Sequence, residues 1–499
     1  MRDSFSGALI TLLEQQGSDS ATTGVRLQKA IRQMIAEGVV REHERLPSTR
    51  ILSGELRVAR DTLEAAYRQL EAEGFVTRRH GSGTYVAKLD RDALETSSGK
   101  LRKRRSGQPS LQASLSKRGS GIWKRGGVVD QTTALPFAAA MPDVKPFPLD
   151  IWRRLTSRAL RTNAQSVLMY GDAQGYLPLR EEISRYLAAH RGVRCGAEQI
   201  VVLNSSQQAL SIIANLLVDP GEQIAIEDPG YHGARSVFAA AGVSLLPIPV
   251  DEFGLRVQQL RDHSRDPRAV YLTPSHQYPT GVTLSLDRRL ALIDWARQNR
   301  GWIIEDDYDS EYRYDGLPVS SIQGLDPHQR VLYIGTFSKV LFPSLRLAYL
   351  VLPESLTPAF VTARTLIDGQ SSLITQMVLA QFMSDGHFTA HIRRMRQLYR
   401  ARRDAFMASF ARNLGSFADA ITPAGGLHAA CKLKPGLREE TTVKAAKSVG
   451  LELPTLKRLY AGPNAEAGWL MGFAALTPDQ IEESMRRLSH AITHCEQVP

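Results

Sequence analysis

Lys339 stands in Gly335-Thr336-Phe337-Ser338-Lys339, just past a short apolar run and beside two hydroxyl side chains. Asp306 ends an earlier run in Glu305-Asp306-Asp307-Tyr308, and Arg346 follows the lysine closely. A lysine can capture a carbonyl, a carboxylate can keep a ring nitrogen protonated, and an arginine can fork two donors onto a phosphate. Asn204-Ser205-Ser206-Gln207-Gln208 opens a helix after a strand and offers N–H groups and hydroxyls to an anion. Glu227-Asp228-Pro229-Gly230-Tyr231 supplies a flat aromatic group, and Tyr278-Pro279-Thr280-Gly281 supplies a tight loop. Pyridoxal phosphate requires this set: a Schiff-base lysine, a partner for the pyridine nitrogen, a donor to the phenolic oxygen, a stacking group and a phosphate cradle. Singly, each residue has an ordinary reading. A lone Ser-Lys pair is a surface feature, and an acidic strand end is commonly a helix cap or a metal ligand. The ordered combination is what carries the assignment; it calls for no metal.

Such groups need a scaffold that brings strand ends together. Short β-branched runs at Gln199 to Leu203, Gln223 to Glu227, Ala269 to Thr273, Trp302 to Asp306, Val331 to Gly335 and Ala348 to Leu352 alternate with helical patterns. That alternation predicts an α/β domain with a mainly parallel sheet, helices on both faces, and a ligand crevice at the C-terminal strand ends. The domain is expected over residues 131–499.

The first 88 residues read differently. Val25, Leu27, Ile31, Met34 and Ile35 recur at helical spacing, and Gly38 closes that helix. Ser48 is a plausible N-cap for a second helix toward Leu56, and a third begins at Asp61 with Leu63, Tyr67 and Leu70 on one face. Phe75 to Val86 reads as a hairpin around Gly81-Ser82-Gly83. Between the two parts, residues 89–130 are rich in Ser, Gly, Lys and Arg, which predicts a flexible linker. From Lys100 to Arg125 there are nine basic residues and no acidic one, so much of the net charge of +11 sits here. Arg102 to Arg105 are candidates for DNA phosphate contacts. Three scattered cysteines, Cys195, Cys431 and Cys495, give neither a disulfide framework nor a zinc site. Asp3 and Glu14 around the short apolar run Leu9 to Leu13 exclude a signal peptide pattern, and no stretch is long enough to span a membrane. A cytoplasmic location is expected.

Leu46-Pro47-Ser48-Thr49-Arg50, Arg60-Asp61-Thr62-Leu63, Glu73-Gly74-Phe75 and His80-Gly81-Ser82-Gly83-Thr84-Tyr85-Val86 closely resemble the winged helix-turn-helix of GntR-type transcription regulators. By that resemblance Arg50, Arg60, Thr62, His80 and Gly81 lie where those regulators touch DNA; Arg79, beside His80, is suited to phosphates or base edges. Asp61 and Glu64 are acidic at neighbouring positions, so the base preference does not carry over. The later region resembles the fold-type I, aspartate-aminotransferase-like pyridoxal phosphate proteins. This implies that Lys339 forms the Schiff base, Asp306 pairs with the pyridine nitrogen, Tyr308 contacts the phenolic oxygen and Tyr231 stacks on the ring. Ser206, Gln207, Thr336, Ser338 and Arg346 match the phosphate cradle, and Tyr170 matches the tyrosine lent across a dimer interface. Tyr278 stands where many relatives have Asn. The two modules together resemble the MocR subfamily of bacterial regulators, which implies a homodimer, with domain swapping, that binds an operator on nucleoid DNA.

The pattern departs at two positions. Where aminotransferases hold a substrate carboxylate with arginine, Gly472-Phe473-Ala474-Ala475 carries Ala475, and position 233, a second arginine site in the γ-aminobutyrate regulator, is Gly. Losing a charge-assisted pair weakens an amino-acid ligand. The expected effector is therefore pyridoxal phosphate itself or an amine lacking a carboxylate, with Arg313, Arg235 and His428 as alternative anchors. The alternative reading is a working aminotransferase with an accessory DNA-binding domain.

Overall fold

The computed structural model describes residues 2–15, 22–79, 81–88, 115–127, 135–162, 164–261, 266–316 and 319–496. His80 and the Arg102 to Arg105 run lie outside the described residues. The chain divides into two compact units, Met1–Leu111 and Gln112–Pro499.

In the first unit, helices α1 (Arg2–Gln15), α2 (Thr23–Ala36), α3 (Thr49–Leu56) and α4 (Arg60–Ala72) precede an antiparallel hairpin, β1 (Val76–Arg79) and β2 (Gly83–Val86). Leu27, Ile31, Leu52, Leu63, Tyr67 and Val86 close one core, to which α1 adds Phe5 and Leu9. Ser48 caps α3 as expected, its Oγ accepting from Ile51 N at 3.4 Å. Tyr67 Oη donates to Pro47 O at 2.9 Å and ties α4 to the loop before α3.

The second unit is built on an eight-stranded sheet of β3 (Ile200–Leu203), β4 (Gln223–Asp228), β5 (Ser244–Asp251), β6 (Gly254–Leu255), β7 (Ala269–Leu272), β8 (Trp302–Asp307), β9 (Val331–Thr336) and β10 (Ala348–Val351). Their order is β3-β10-β9-β8-β7-β4-β5-β6. The five-strand centre from β9 to β5 is parallel; β10 runs antiparallel to both neighbours, and β6 folds back on β5. Alternating side chains feed two cores, with Ile226, Ile304 and Ile334 in one and Ala225, Val270 and Ile303 in the other. Such two-faced burial explains the near-continuous apolar strands. A second, antiparallel sheet of β11 (Ala418–Ala420), β12 (His428–Leu433) and β13 (Gly468–Gly472) packs with helices His387–Asn413 and Pro478–Glu496 around Trp469, Met471 and Phe406.

The flexible-linker reading of residues 89–130 fails over Lys117–Arg125, which form a helix. Ser116 Oγ accepts from Gly119 N at 3.0 Å at its start. Composition missed it because the stabilising contacts are tertiary: Arg118 Nε donates to Ala240 O at 2.8 Å, and Arg125 Nη2 to Ala239 O at 3.2 Å. Two guanidinium groups thus satisfy carbonyls at the C-terminal end of helix His232–Ala240, where cations are favoured. Replacing both arginines by Ala should speed hydrogen exchange across 117–125 by roughly tenfold or more, read by mass spectrometry. Unchanged exchange would show that the docking comes from other contacts.

Candidate cofactor site and nucleic-acid surface

β8 delivers three carboxylates to the C-terminal edge of the parallel sheet, all buried. Glu305 accepts from Ile322 N and Gln323 N, both at 2.9 Å, and so caps a short helix. Asp307 accepts from Arg191 Nε at 2.8 Å and from Tyr333 Oη at 2.5 Å. Asp306 points to the opposite side of the strand by the two-residue alternation. Its Oδ2 accepts from Tyr271 Oη at 2.7 Å, while its buried Oδ1 has no hydrogen-bond partner. Burial pushes the Asp306 carboxyl up to about 7; Asp307 and Asp309 add to this, and the Tyr271 hydrogen bond opposes it. An orphaned carboxylate oxygen in an acidic, desolvated place is matched by a protonated ring nitrogen.

Lys339 lies in the turn after β9, half-buried. Ser338 N donates to Thr336 Oγ1 at 3.2 Å, and Leu341 N to Phe337 O at 2.8 Å. Tyr312 Oη donates to Val340 O at 2.6 Å and so fixes the turn from the Asp309 side. The Lys339 charge acts on both Asp309 and His428. Arg346 follows in the left-handed region, φ 50°, uncommon for a residue with a Cβ.

On the neighbouring strand end, Ser206 is the first residue of helix Ser206–Leu217, capped by Ser205 Oγ accepting from Gln208 N at 3.2 Å. Gln207 Nε2 donates to Tyr231 Oη at 3.2 Å. A Cβ on Gly233 would lie 2.6 Å from both Tyr231 Oη and Gln207 Nε2, so glycine at 233 is needed for the tyrosine to fold back. Asp228 accepts from Ala461 N at 2.6 Å and Gly462 N at 3.1 Å, holding the end of β4 against the loop before β13.

Tyr278 is held from below. Glu227 Oε2 accepts from Thr273 Oγ1 at 2.7 Å, and Thr273 Oγ1 in turn accepts from Tyr278 N at 2.9 Å. Its ring meets Tyr231 edge-on at 5.6 Å, Tyr308 at 6.1 Å and His428 at 5.3 Å between centroids. Tyr308 Oη lies 3.0 Å from His276 Nδ1, which also lies 3.1 Å from Asp309 Oδ1. The sequence assigned no role to His276 or Asp309; their pairing across 33 residues has no local signature.

Of the alternative anchors, Arg235 donates Nη2 to the carbonyl of Arg458, and Arg313 donates Nη1 to Thr283 Oγ1 at 3.3 Å. Arg313 lines a narrow chamber with His276, Ser310, Gly425 and Gly426, whose free volume of about 10 Å³ has room for one water. Tyr170, by contrast, is 96% exposed, beside the exposed Leu168 and Met169 and apart from these groups in the single chain.

On the winged unit, Arg50, Arg60, Arg79 and Gly81 are exposed and Thr62 is half-buried. Arg79 stacks its guanidinium on Tyr85 at 5.1 Å. Arg78, next to it in β1, is engaged internally: Nη2 reaches Glu64 Oε2 at 3.0 Å and Nε reaches Glu71 Oε2 at 3.4 Å. The same pair removes Glu64 from the set of groups available to bases.

A winged helix followed in the chain by an aminotransferase-type α/β domain, with a lysine and an aspartate with one unpartnered oxygen at adjacent strand ends, defines the class of protein. Residues 23–86 match the gntR family of bacterial regulatory proteins, and residues 143–490 match aminotransferase class I and II. Over 474 residues the chain is 36% identical to the probable rhizopine catabolism regulatory protein MocR of Rhizobium meliloti, with 94% of each covered. It is 31% identical to the pyridoxine biosynthesis transcriptional regulator PdxR of Corynebacterium glutamicum, covering 94% of this chain and 95% of that one. Among solved structures, the α-aminoadipate aminotransferase LysN of Thermus thermophilus, complexed with N-(5'-phosphopyridoxyl)-L-leucine, superposes with a TM-score of 0.70 at 26% identity, over 78% of this chain and all of that one. The chain belongs to the MocR subfamily of GntR-type transcription regulators, and its cofactor is pyridoxal 5'-phosphate.

The raised Asp306 carboxyl gives a signed pH prediction for cofactor-free protein. From the ordinary value of 3.8 to about 7 the unfolded chain has released a proton that the folded state still holds, so stability falls as pH rises through this window. Asp306→Asn should therefore be more stable than the parent at pH 8, by on the order of 2–4 kcal/mol, with the advantage vanishing near pH 4. Thermal melts across pH check this; a difference independent of pH would contradict it.

Proposed function

We propose that this regulator uses Lys339 as the covalent anchor of its cofactor and responds to an amine, or to pyridoxal phosphate itself, arriving at the same place. The carrying observation is the buried, unpartnered Asp306 Oδ1 one strand away from the Lys339 turn. Asp306 would hold the pyridine nitrogen, Tyr308 the phenolic oxygen and Tyr231 the ring face. Ser206, Gln207, Thr336, Ser338 and Arg346 would hold the phosphate, with Tyr278 closing the site. When bound, the cofactor supplies an aldehyde that a primary amine captures reversibly.

The remaining steps belong to the protein. The strand-end loops exclude water from the Asp306 side, and Gln207 orients Tyr231 through its hydroxyl. Helix His232–Ala240 begins at Tyr231 and ends at the carbonyls gripped by Arg118 and Arg125. That continuity supports a route by which ligand arrival biases the linker toward one of two arrangements.

The partner reading is a DNA operator contacted through Arg50, Arg60, Thr62, Arg79, His80 and Gly81, with residues 1–88 as the DNA-binding module, 89–130 as the connection and 131–499 as the sensor. A homodimer, with Tyr170 completing the partner's phosphate site, accounts for the exposure of Leu168, Met169 and Tyr170. No described helix is long and apolar enough to cross a membrane, which fits a cytoplasmic, nucleoid-bound regulator. PdxR, whose name assigns it to pyridoxine biosynthesis, supports vitamin B6 metabolism as one candidate regulon.

Purified protein loaded with cofactor should show a visible absorption band that borohydride abolishes and that Lys339→Ala lacks. A band that survives in the variant would overturn the role of Lys339.

A further inference from the structure

Several buried polar atoms around the site have no partner, among them His276 Nε2, Ser310 Oγ and Arg313 Nε, and His428 is the side chain there with both of its polar atoms unpartnered. His428 begins β12 and is 1% exposed. Neither of its ring nitrogens has a hydrogen-bond partner. It stands 5.3 Å from the ring of Tyr278 and 5.6 Å from that of His276, between centroids, within range of the Lys339 charge. A buried imidazole without partners is costly unless a ligand satisfies it.

The chain brings this histidine to the place where the substrate arginine is missing. Phe473 N donates to Leu427 O at 3.1 Å, which lays the Gly472-to-Ala475 turn beside Leu427 and His428. Burial, reinforced by the neighbouring His276 and Lys339, holds the His428 imidazole well below its ordinary range, so it is neutral. A neutral imidazole offers one N–H donor and one acceptor nitrogen. A carboxylate can accept from the N–H, but it brings a charge that a neutral imidazole does not offset, and burying that charge is costly. A hydroxyl both donates and accepts, and satisfies either face. Of the arginines around the site, Arg458 is exposed, Arg235 is committed to its carbonyl and Arg313 donates to Thr283 Oγ1 at 3.3 Å.

We infer that His428 is the specificity-determining residue of the effector site and that the effector is a primary amine whose other polar groups are uncharged hydroxyls. The inference rests on the reading that Lys339 yields its place to an arriving amine.

The test titrates the cofactor-loaded protein with 2-amino-1,3-propanediol, propylamine and 3-aminopropanoate, following the shift of the visible band and, independently, the melting temperature. The diol should act at a concentration lower than either of the others by roughly tenfold, as expected for a hydrogen bond to a buried group. His428→Phe should erase the preference, and His428→Gln, which keeps a donor and an acceptor, should retain much of it. Equal response to the three amines, or preference for the carboxylated one, overturns this inference alone. A band that no amine shifts overturns it together with the amine-sensing reading on which it rests.

Discussion

Three carboxylates at the end of one strand set the terms for everything around them. Glu305, Asp306 and Asp307 are all buried on β8, where uncompensated charge is expensive. The fold neutralises the two outer ones locally, Glu305 with backbone N–H groups and Asp307 with Arg191 and Tyr333. It leaves Asp306 with one satisfied oxygen and one without a partner. That free oxygen is what the proposed pairing with a protonated ring nitrogen rests on; the turn after β9 places Lys339, and the ends of β4 and β7 place Tyr231 and Tyr278, at the same edge of the sheet.

The site also joins the two sheets of the large unit. Asp228 and Gly230 on the β4 side bond to the loop Leu459 to Gly462, and the aromatic layer of Tyr231, Tyr278 and Tyr308 meets His428 of β12. A ligand that fills this layer touches both sheets. Tyr231 immediately precedes a helix whose far end is bonded by Arg118 and Arg125, so the tyrosine proposed to meet the cofactor and the helix Lys117–Arg125 are held to opposite ends of one element. Neutralising the helix carbonyls with arginine rather than with water couples the order of the linker to the order of that helix.

Much of this was legible in the sequence. The six apolar runs lie within a residue or so of β3, β4, β7, β8, β9 and β10 because strands buried on both faces must be continuously apolar. The positions of Asp306, Lys339 and Tyr231 at or just past strand ends were legible because they follow directly from such runs. What was missed depends on distant partners. β5 contains Pro247 and Pro249 and is only half-buried, so it lacked the apolar signature. The helix Lys117–Arg125 owes its place to carbonyls more than a hundred residues away. The internal pairing of Arg78 with Glu64 and of His276 with Asp309 likewise follows from tertiary approach, which spacing does not encode. Gly233 was read as an arginine lost, whereas its space is filled by Tyr231 and Gln207.

The measurement that bears most directly on the central carboxylate is the ¹⁵N chemical shift of labelled cofactor bound to the protein. With Asp306 in place the pyridine nitrogen should remain protonated from pH 6 to pH 9, and Asp306→Asn should release that proton within the range. A nitrogen that is unprotonated in the parent protein at pH 7, or equally protonated in the variant, would contradict the assignment of the buried aspartate as its partner.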